Sequence, residues 1–242
     1  MAPTSCRSSL VGTVFQAAPD DIYDRIIFPL VVADAEGGEW SILSVAGTAF
    51  VASGVVLTCW HQVQEASIEG RSAGIVQWQA DVPHFLPLEF DRLEPHDLGA
   101  AAAPEALPRA ARLQEGPLPN EGADVYSYGY PLPEGKRDWI GERFSFTVTR
   151  RLLRGYVMRG TIAKDVPHVP DGGVMLELDM QAPPGLSGAP VMVRHGGAPD
   201  EVVVVGVVKG THLVKQGEDE ARFTWAYASA QILDLVADLR SW

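Results

Sequence analysis

Short runs of apolar and β-branched residues, each closed by Gly, Pro, Asn or Asp, recur along most of the chain. That spacing is the pattern of β-barrels and sandwiches rather than of helical bundles. In the first half the runs predict strands at Ile26–Ala33, Gly47–Ala52, Val55–Thr58, Gly74–Gln79 and Leu98–Ala102. In the second half they predict strands at Ala123–Tyr128, Arg143–Arg150, Leu152–Ile162, Val174–Leu178, Pro190–Arg194, Glu201–Val208 and Arg222–Tyr227. The run EVVVVGVVKG, from Glu201 to Gly210, is continuously β-branched, as a strand buried on both faces should be. Between the halves lies PEALPRAARLQEGPLPNEG, Pro104 to Gly122, whose prolines cannot donate to a central ladder; it reads as a linker. PLPEGKRDWIGER, Pro131 to Arg143, is polar and turn-rich and reads as a surface loop. Only the closing SAQILDLVADL has helical spacing. Ser229 is its candidate N-cap, and Ile232, Leu233, Val236 and Leu239 share one face.

Composition narrows the function classes. With 242 residues, 46% of them hydrophobic, the chain can bury one large core or two small ones. The formal net charge is -12 and no Lys/Arg-rich stripe is present, so the phosphate-neutralising surface of a nucleic-acid binder is missing. Two cysteines, Cys6 and Cys59, suit a reducing compartment better than a disulfide framework. The first residues, MAPTSCRSSLVGTVFQAAPDD, lack a basic segment followed by an apolar one, so no signal peptide is expected. No stretch approaches the roughly 18 to 20 apolar residues of a membrane span. The expectation is a cytoplasmic protein, and its wealth of Arg, Ala, Gly and Pro fits a GC-rich bacterial genome.

The candidate chemistry lies in three segments. In Pro183-Pro184-Gly185-Leu186-Ser187-Gly188-Ala189-Pro190-Val191 a serine flanked by glycines stands just before an apolar strand. Such a turn exposes the hydroxyl, and Gly185 permits backbone angles that turn its N–H the same way as that of Ser187, as an oxyanion site requires. An ordinary Gly/Pro turn would look similar. His61 follows the strand of Gly47-Thr48-Ala49-Phe50-Val51-Ala52-Ser53-Gly54-Val55-Val56-Leu57-Thr58-Cys59-Trp60-His61, and an imidazole is suited to shuttle a serine proton near neutral pH. A lone histidine at a strand end is otherwise most often structural. Asp97, in Pro95-His96-Asp97-Leu98-Gly99, stands at the mouth of an apolar strand, where it would fix the imidazole tautomer; Asp81 and Asp91 are its rivals.

These segments resemble the trypsin-like serine peptidases, above all the bacterial and HtrA-type members. GTAFVASGVVLTCWH is similar to the family's histidine segment, HDLGAAA to its aspartate strand, and PPGLSGAPV to its nucleophile turn. VYSYGYPLPEG resembles the start of the family's second barrel. VVVVGVV followed by FTWAYASAQIL resembles the strands that wall its specificity pocket and lead into a C-terminal helix. The resemblance implies an all-β fold of two six-stranded antiparallel, chymotrypsin-like β-barrels with a C-terminal α-helix. The implied division is an extension over 1–25, a barrel with the histidine and aspartate over 26–110 and a linker over 111–122. A barrel with the serine over 123–228 and a helix over 229–242 complete it. It implies His61, Asp97 and Ser187 as triad and the Gly185 and Ser187 N–H groups as oxyanion hole. It also implies Gln181 at the pocket floor and Lys209, Gly210 and Thr211 along the wall that pairs with substrate.

The chain also departs from the family. Cys59-Trp60 replaces the usual Ala-Ala before the histidine, and no Ile-Val-Gly segment supplies a freed amine to order the pocket. Zymogen cleavage is therefore not expected, and control would fall to a partner, oligomerisation or substrate. Gln181 is not an acid, so a preference for Arg or Lys has no support; Lys209 could favour an acidic side chain, but a lysine at the end of a strand is more often simply solvated. The expected function is a serine endopeptidase acting on a protein or peptide substrate, one encoded beside it in an operon being a candidate. No cofactor, metal, membrane or nucleic acid is expected. A catalytically inactive pseudoprotease that keeps the barrels as a protein-binding module is the alternative. An α/β-hydrolase fits poorly, because its histidine follows the serine in a G-x-S-x-G chain. His84, His96, His168, His195 and His212 are scattered without metal-ligand spacing.

Overall fold

The computed structural model describes residues 22–36, 39–67, 71–79, 82–108, 111–131, 138–140, 143–145, 151–162, 173–193, 202–216, 219–237 and 239. The first half opens with α1 (Ile22–Ile26), β1 (Ile27–Glu36), β2 (Glu39–Ala52), β3 (Val55–Thr58) and α2 (Trp60–Val63). It continues with β4 (Arg71–Gln79), β5 (Val82–Pro87), β6 (Asp91–Arg92) and β7 (Gly99–Ala102). These strands form one antiparallel sheet in the order β5-β4-β1-β2-β3-β7-β6, one strand more than the sequence implies. Every residue of β3 is buried, which is why VVLT carries no polar alternation. The tight turn from β2 to β3 needs left-handed backbone at both central residues: Ser53 has φ 51° and Gly54 φ 84°.

The second half contains β9 (Asp124–Gly129), reached from β8 (Ala111–Leu113), then β10 (Asp138–Ile140), β11 (Arg143–Ser145), β12 (Arg151–Ile162) and β13 (Val174–Leu178). β14 (Pro190–Val193), β15 (Val202–Gln216), β16 (Asp219–Ala228) and α3 (Ser229–Leu235) follow. Strands β14-β9-β12-β13-β16-β15 run in that order, and a second pairing of β14 with β15 closes them into a six-stranded barrel. One hydrophobic cluster fills this barrel around Leu176, Leu178, Leu186, Val191 and Val205. The other fills the first half and continues into the second through Tyr227, Val204, Val207 and Ile232.

Several elements differ from the sequence expectation. The segment read as a linker contains β8, which pairs in parallel with Val202–Val204 of β15. Its backbone also grips the β2–β3 turn: Ser53 N–H donates to the Ala111 carbonyl at 3.0 Å, and Leu113 N–H donates to Ser53 Oγ at 3.0 Å. The segment from Pro131 read as a loop holds β10, which pairs with β11 at the start of the strand expected over Arg143–Arg150; residues 146–150 lie outside the described residues. Strand β15 extends beyond Val208 to Gln216, and its ladder with β16 is interrupted by a bulge between Val208 and Gly210. Ser229 does not cap α3. Ala228 holds that position, and the Ser229 hydroxyl donates to the Gln114 carbonyl at 3.0 Å. Ile232 and Val236 are buried, with Leu233 and Leu239 packed on the same core, as the helical spacing predicts.

Candidate active site

His61 owes its position to the end of β3. Cys59 is still extended (φ -84°, ψ 140°), and the chain then turns into the single helical turn of α2. Because β3 pairs with β7 from Thr58 and Gly99 onward, the residues just beyond those ends meet. Asp97 holds His61 at two points: Nδ1 lies 2.8 Å from Asp97 Oδ2, and the His61 backbone N–H donates to Oδ1 at 2.9 Å. The Trp60 N–H adds a bond to the Asp97 carbonyl at 3.2 Å, and the Asp97 N–H donates to the Tyr227 hydroxyl at 3.2 Å. A carboxylate so placed assigns the Nδ1 proton to its own side and leaves Nε2 as the basic nitrogen. Of the rival carboxylates, Asp91 sits exposed on β6, and Asp81 lies outside the described residues.

Burial pushes the Asp97 carboxyl up. The hydrogen bonds and charge of His61, with the nearby Lys209 ammonium, outweigh it and hold the group below its ordinary value. Lys209 is the residue inserted by the β15 bulge, a device that re-aims a side chain. The sequence places it on the substrate wall, but its ammonium lies 3.7 Å from Asp97 Oδ2 with the side chain only 16% exposed. A bulge cannot be read from EVVVVGVVKG, so this orientation was hidden.

The Ser187 turn is folded by its own backbone. Leu186 N–H reaches the Pro183 carbonyl at 3.2 Å, Ala189 N–H the Leu186 carbonyl at 2.9 Å, and Gly188 N–H the Val208 carbonyl at 2.8 Å. Gly185 and Gly188 have φ of 90° and 81°, where an L side chain is strained. A Cβ on Gly188 would also collide with the Thr48 carbonyl, the Thr58 hydroxyl and Gln62, because the first half presses on the turn there. Among the described residues, the N–H groups of Gly185 and Ser187 donate to no protein acceptor.

Three polar side chains from the first half hold this turn, and the sequence reading missed all of them. Thr48 Oγ1 donates to the Gly185 carbonyl at 3.0 Å and accepts the Tyr130 N–H at 2.9 Å. Gln62 Nε2 donates to the Ser187 carbonyl at 2.7 Å. The Thr58 hydroxyl lies 2.7 Å from Gln62 Oε1 and 2.8 Å from the Thr48 carbonyl. Their one signal in the sequence was polarity inside otherwise apolar strands and beside His61. Ser187 is thus anchored to the neighbour of His61, while no hydrogen bond joins its own hydroxyl to the imidazole; such catalytic contacts are often long in unliganded enzymes. Cys59 Sγ faces the Val208 carbonyl at 3.2 Å. Burial above all, and then the Asp97 charge, pushes that thiol far up, which keeps it in its protonated form.

A cavity of about 480 Å³ opens beside Ser187, between the Gln181–Pro184 segment and Gly210–Thr211. Its walls are stitched together: Thr211 Oγ1 donates to the Ala182 carbonyl at 2.7 Å, and the Ala182 N–H donates to Thr224 Oγ1 at 3.1 Å. Arg151 and Arg222 also line it, and neither was singled out from the sequence. The described histidines away from the site have local roles. His96 packs against Tyr227 and faces Gln231, and His212 stacks on Trp225. His84 lies in β5, while His168 and His195 are outside the described residues. Among the described residues no cluster of three or more His, Cys, Asp or Glu could hold a metal ion, and no helix is long and apolar enough to cross a membrane.

No curated protein sequence matches the chain. Among solved structures it is similar to the Rv3671c protease of M. tuberculosis H37Rv, in the inactive form of a serine-to-alanine mutant, with TM-score 0.56 and 18% identity over 92% of this chain and 95% of that one. It is also similar to the HtrA-type protease AlgW with decapeptide, at TM-score 0.57 and 14% identity over 90% of this chain and 66% of that one. Deg5 matches at TM-score 0.53 and 15% identity over 88% and 89%. At such identities the likeness speaks for the fold. A family model for the trypsin-like peptidase domain matches residues 47–207. Since that stretch runs from within β2 into β15 and takes in most of both halves, the chain belongs to the trypsin-like peptidase domain family.

Proposed function

We propose that this chain is a serine endopeptidase with His61, Asp97 and Ser187 as its triad. The observation that carries the reading is the two-point hold of Asp97 on His61, at 2.8 and 2.9 Å, beside a serine turn clamped by the adjacent Gln62. Ser187 Oγ attacks the scissile carbonyl and its proton passes to His61 Nε2, while Asp97 stabilises the imidazolium. The oxyanion meets the N–H groups of Gly185 and Ser187. Collapse breaks the C–N bond, the leaving amine takes the proton from Nε2, and an ester remains on Oγ. Water then gives a proton to Nε2 as it attacks the ester, and that proton returns to Oγ as the acid leaves. Gln181, Gly210 and Thr211 border the cavity that receives the substrate side chain, and Lys209 acts through Asp97 by holding its carboxylate in place.

We further read it as a cytoplasmic bacterial protease directed at one protein, such as an operon-encoded partner. The buried free thiol of Cys59 in a chain with only two cysteines supports a reducing compartment. Purified chain should cleave its target while Ser187→Ala cleaves at least about 10⁵-fold more slowly. Equal cleavage by both would refute the assignment. Rapid degradation of unrelated unfolded proteins would refute the directed role. The lack of a Ser187–His61 hydrogen bond favours one second reading, a pseudoprotease that only binds protein; binding of a peptide without turnover under all conditions would select it.

A further inference from the structure

The cavity beside Ser187 carries two cations with no part in the chemistry above. Arg151 is the first residue of β12 and Arg222 lies in β16, and both face the space bordered by Gln181, Pro184 and Thr211. Among the described residues, none that lines that space is acidic. Arg71, Arg92 and Arg154 each have a carboxylate partner, whereas no ion pair joins Arg151 or Arg222 to a carboxylate among the described residues. Lys209, the other nearby cation, is held by Asp97. A chain of net charge -12 thus places two arginines, without a carboxylate partner among the described residues, at the cavity next to its serine. The other described residues of its walls are neutral, and a cavity of about 480 Å³ has ample room for a four- or five-carbon acidic residue.

Resting on the endopeptidase reading, we propose that this cavity takes the side chain of Asp or Glu at the residue whose carbonyl Ser187 attacks, with Arg151 and Arg222 binding its carboxylate. A guanidinium fork matches a carboxylate in two parallel hydrogen bonds. Both arginines are exposed, so each contact is worth the modest amount of a solvent-screened pair. Together they should set a preference of about tenfold for Glu over its neutral isostere Gln. The preference should shrink as salt rises from about 0.05 to 0.5 M, because exposed pairs are screened. The -12 net charge opposes acidic substrates at long range and leaves this short-range selection in place.

The test compares kcat/KM for peptides identical except for Glu, Asp, Gln, Leu or Arg before the scissile bond. It is run on the full chain and on Arg151→Gln, Arg222→Gln and the double variant. The ratio of Glu to Gln within each protein cancels any general loss of activity. A ratio of about ten that falls in each single variant and reaches about one in the double variant is expected. A wild-type ratio near one, or a ratio the double variant leaves unchanged, overturns the proposal. Labelling of Ser187 by an uncharged fluorophosphonate reports the nucleophile separately, so its absence counts against the endopeptidase reading alone. In that event the affinity of Ser187→Ala for the Glu and Gln peptides decides. Tighter Glu binding that the two arginine substitutions abolish supports the assignment, and equal binding overturns it.

Discussion

Gln62 is the most informative residue to remove, because it joins the helical turn of His61 to the turn of Ser187. Its side chain is 5% exposed, donates to the Ser187 carbonyl at 2.7 Å and accepts from Thr58 at 2.7 Å. In Gln62→Ala the Thr58 hydroxyl keeps the Thr48 carbonyl at 2.8 Å, so that donor stays satisfied. The Ser187 carbonyl loses its side-chain donor, which costs about 1–3 kcal/mol in a partly buried setting. The lost Cγ methylene and the space left by the carboxamide add about 1 kcal/mol. A total near 3 kcal/mol lowers Tm by about 6–12 °C in a chain of this length. The activity loss comes from position: a serine turn free to shift by about 1 Å costs about 10²-fold in rate. Thermal unfolding followed by circular dichroism reads the first quantity. The second-order rate of fluorophosphonate labelling, taken well below Tm, reads the second. Gln62→Glu keeps the volume but sets an acceptor against the Ser187 carbonyl, and it should be at least as damaging at neutral pH. A Tm within about 1 °C of wild type, with an unchanged labelling rate, would refute the clamp.

Asp97→Asn should lower kcat by about 10⁴-fold while leaving the fold intact, as measured by turnover beside a folded circular dichroism spectrum. The same substitution tests the sign of the acid response. The Asp97 carboxyl is held below its ordinary value, so its stabilisation is present above the unfolded value near 3.9 and lost as pH falls through the folded one. The stability gap between wild type and Asp97→Asn should be level above about pH 5 and close below about pH 4 in urea melts; a gap that widens on acidification contradicts this. Gly188→Ala should abolish labelling and destabilise the chain, since its Cβ strikes the Thr48 carbonyl at φ 81°. Iodoacetamide should leave Cys59 unmodified in the folded protein and alkylate it in denaturant, read by peptide mapping; rapid native modification would contradict its burial.

What was legible in the sequence is what local chemistry demands. β3 and β13 have the predicted bounds because their apolar runs are sharply ended, and the segments around His61, Asp97 and Ser187 carry their residue types within a few positions. β5 was missed because Pro83 and Pro87 argue against a strand; it survives as the edge of its sheet, where a missing N–H is harmless. β8 has only three residues and exists because β15 and the Ser53 turn accept it. The polar end of β15 carries no apolar pattern and is held by its ladder with β16. Gln62 and Thr48 bond to residues distant along the chain, and Arg151 and Arg222 come to one cavity from β12 and β16, placements set by a register that no local pattern encodes.

The central claim is that His61 activates Ser187 as a nucleophile. Intact mass after incubation with a fluorophosphonate tests it most directly, on wild type, Ser187→Ala and His61→Ala. The account predicts one adduct on the wild type, mapped to the Ser187 peptide, and none on either variant. An adduct that persists in Ser187→Ala, or forms equally fast in His61→Ala, would contradict it.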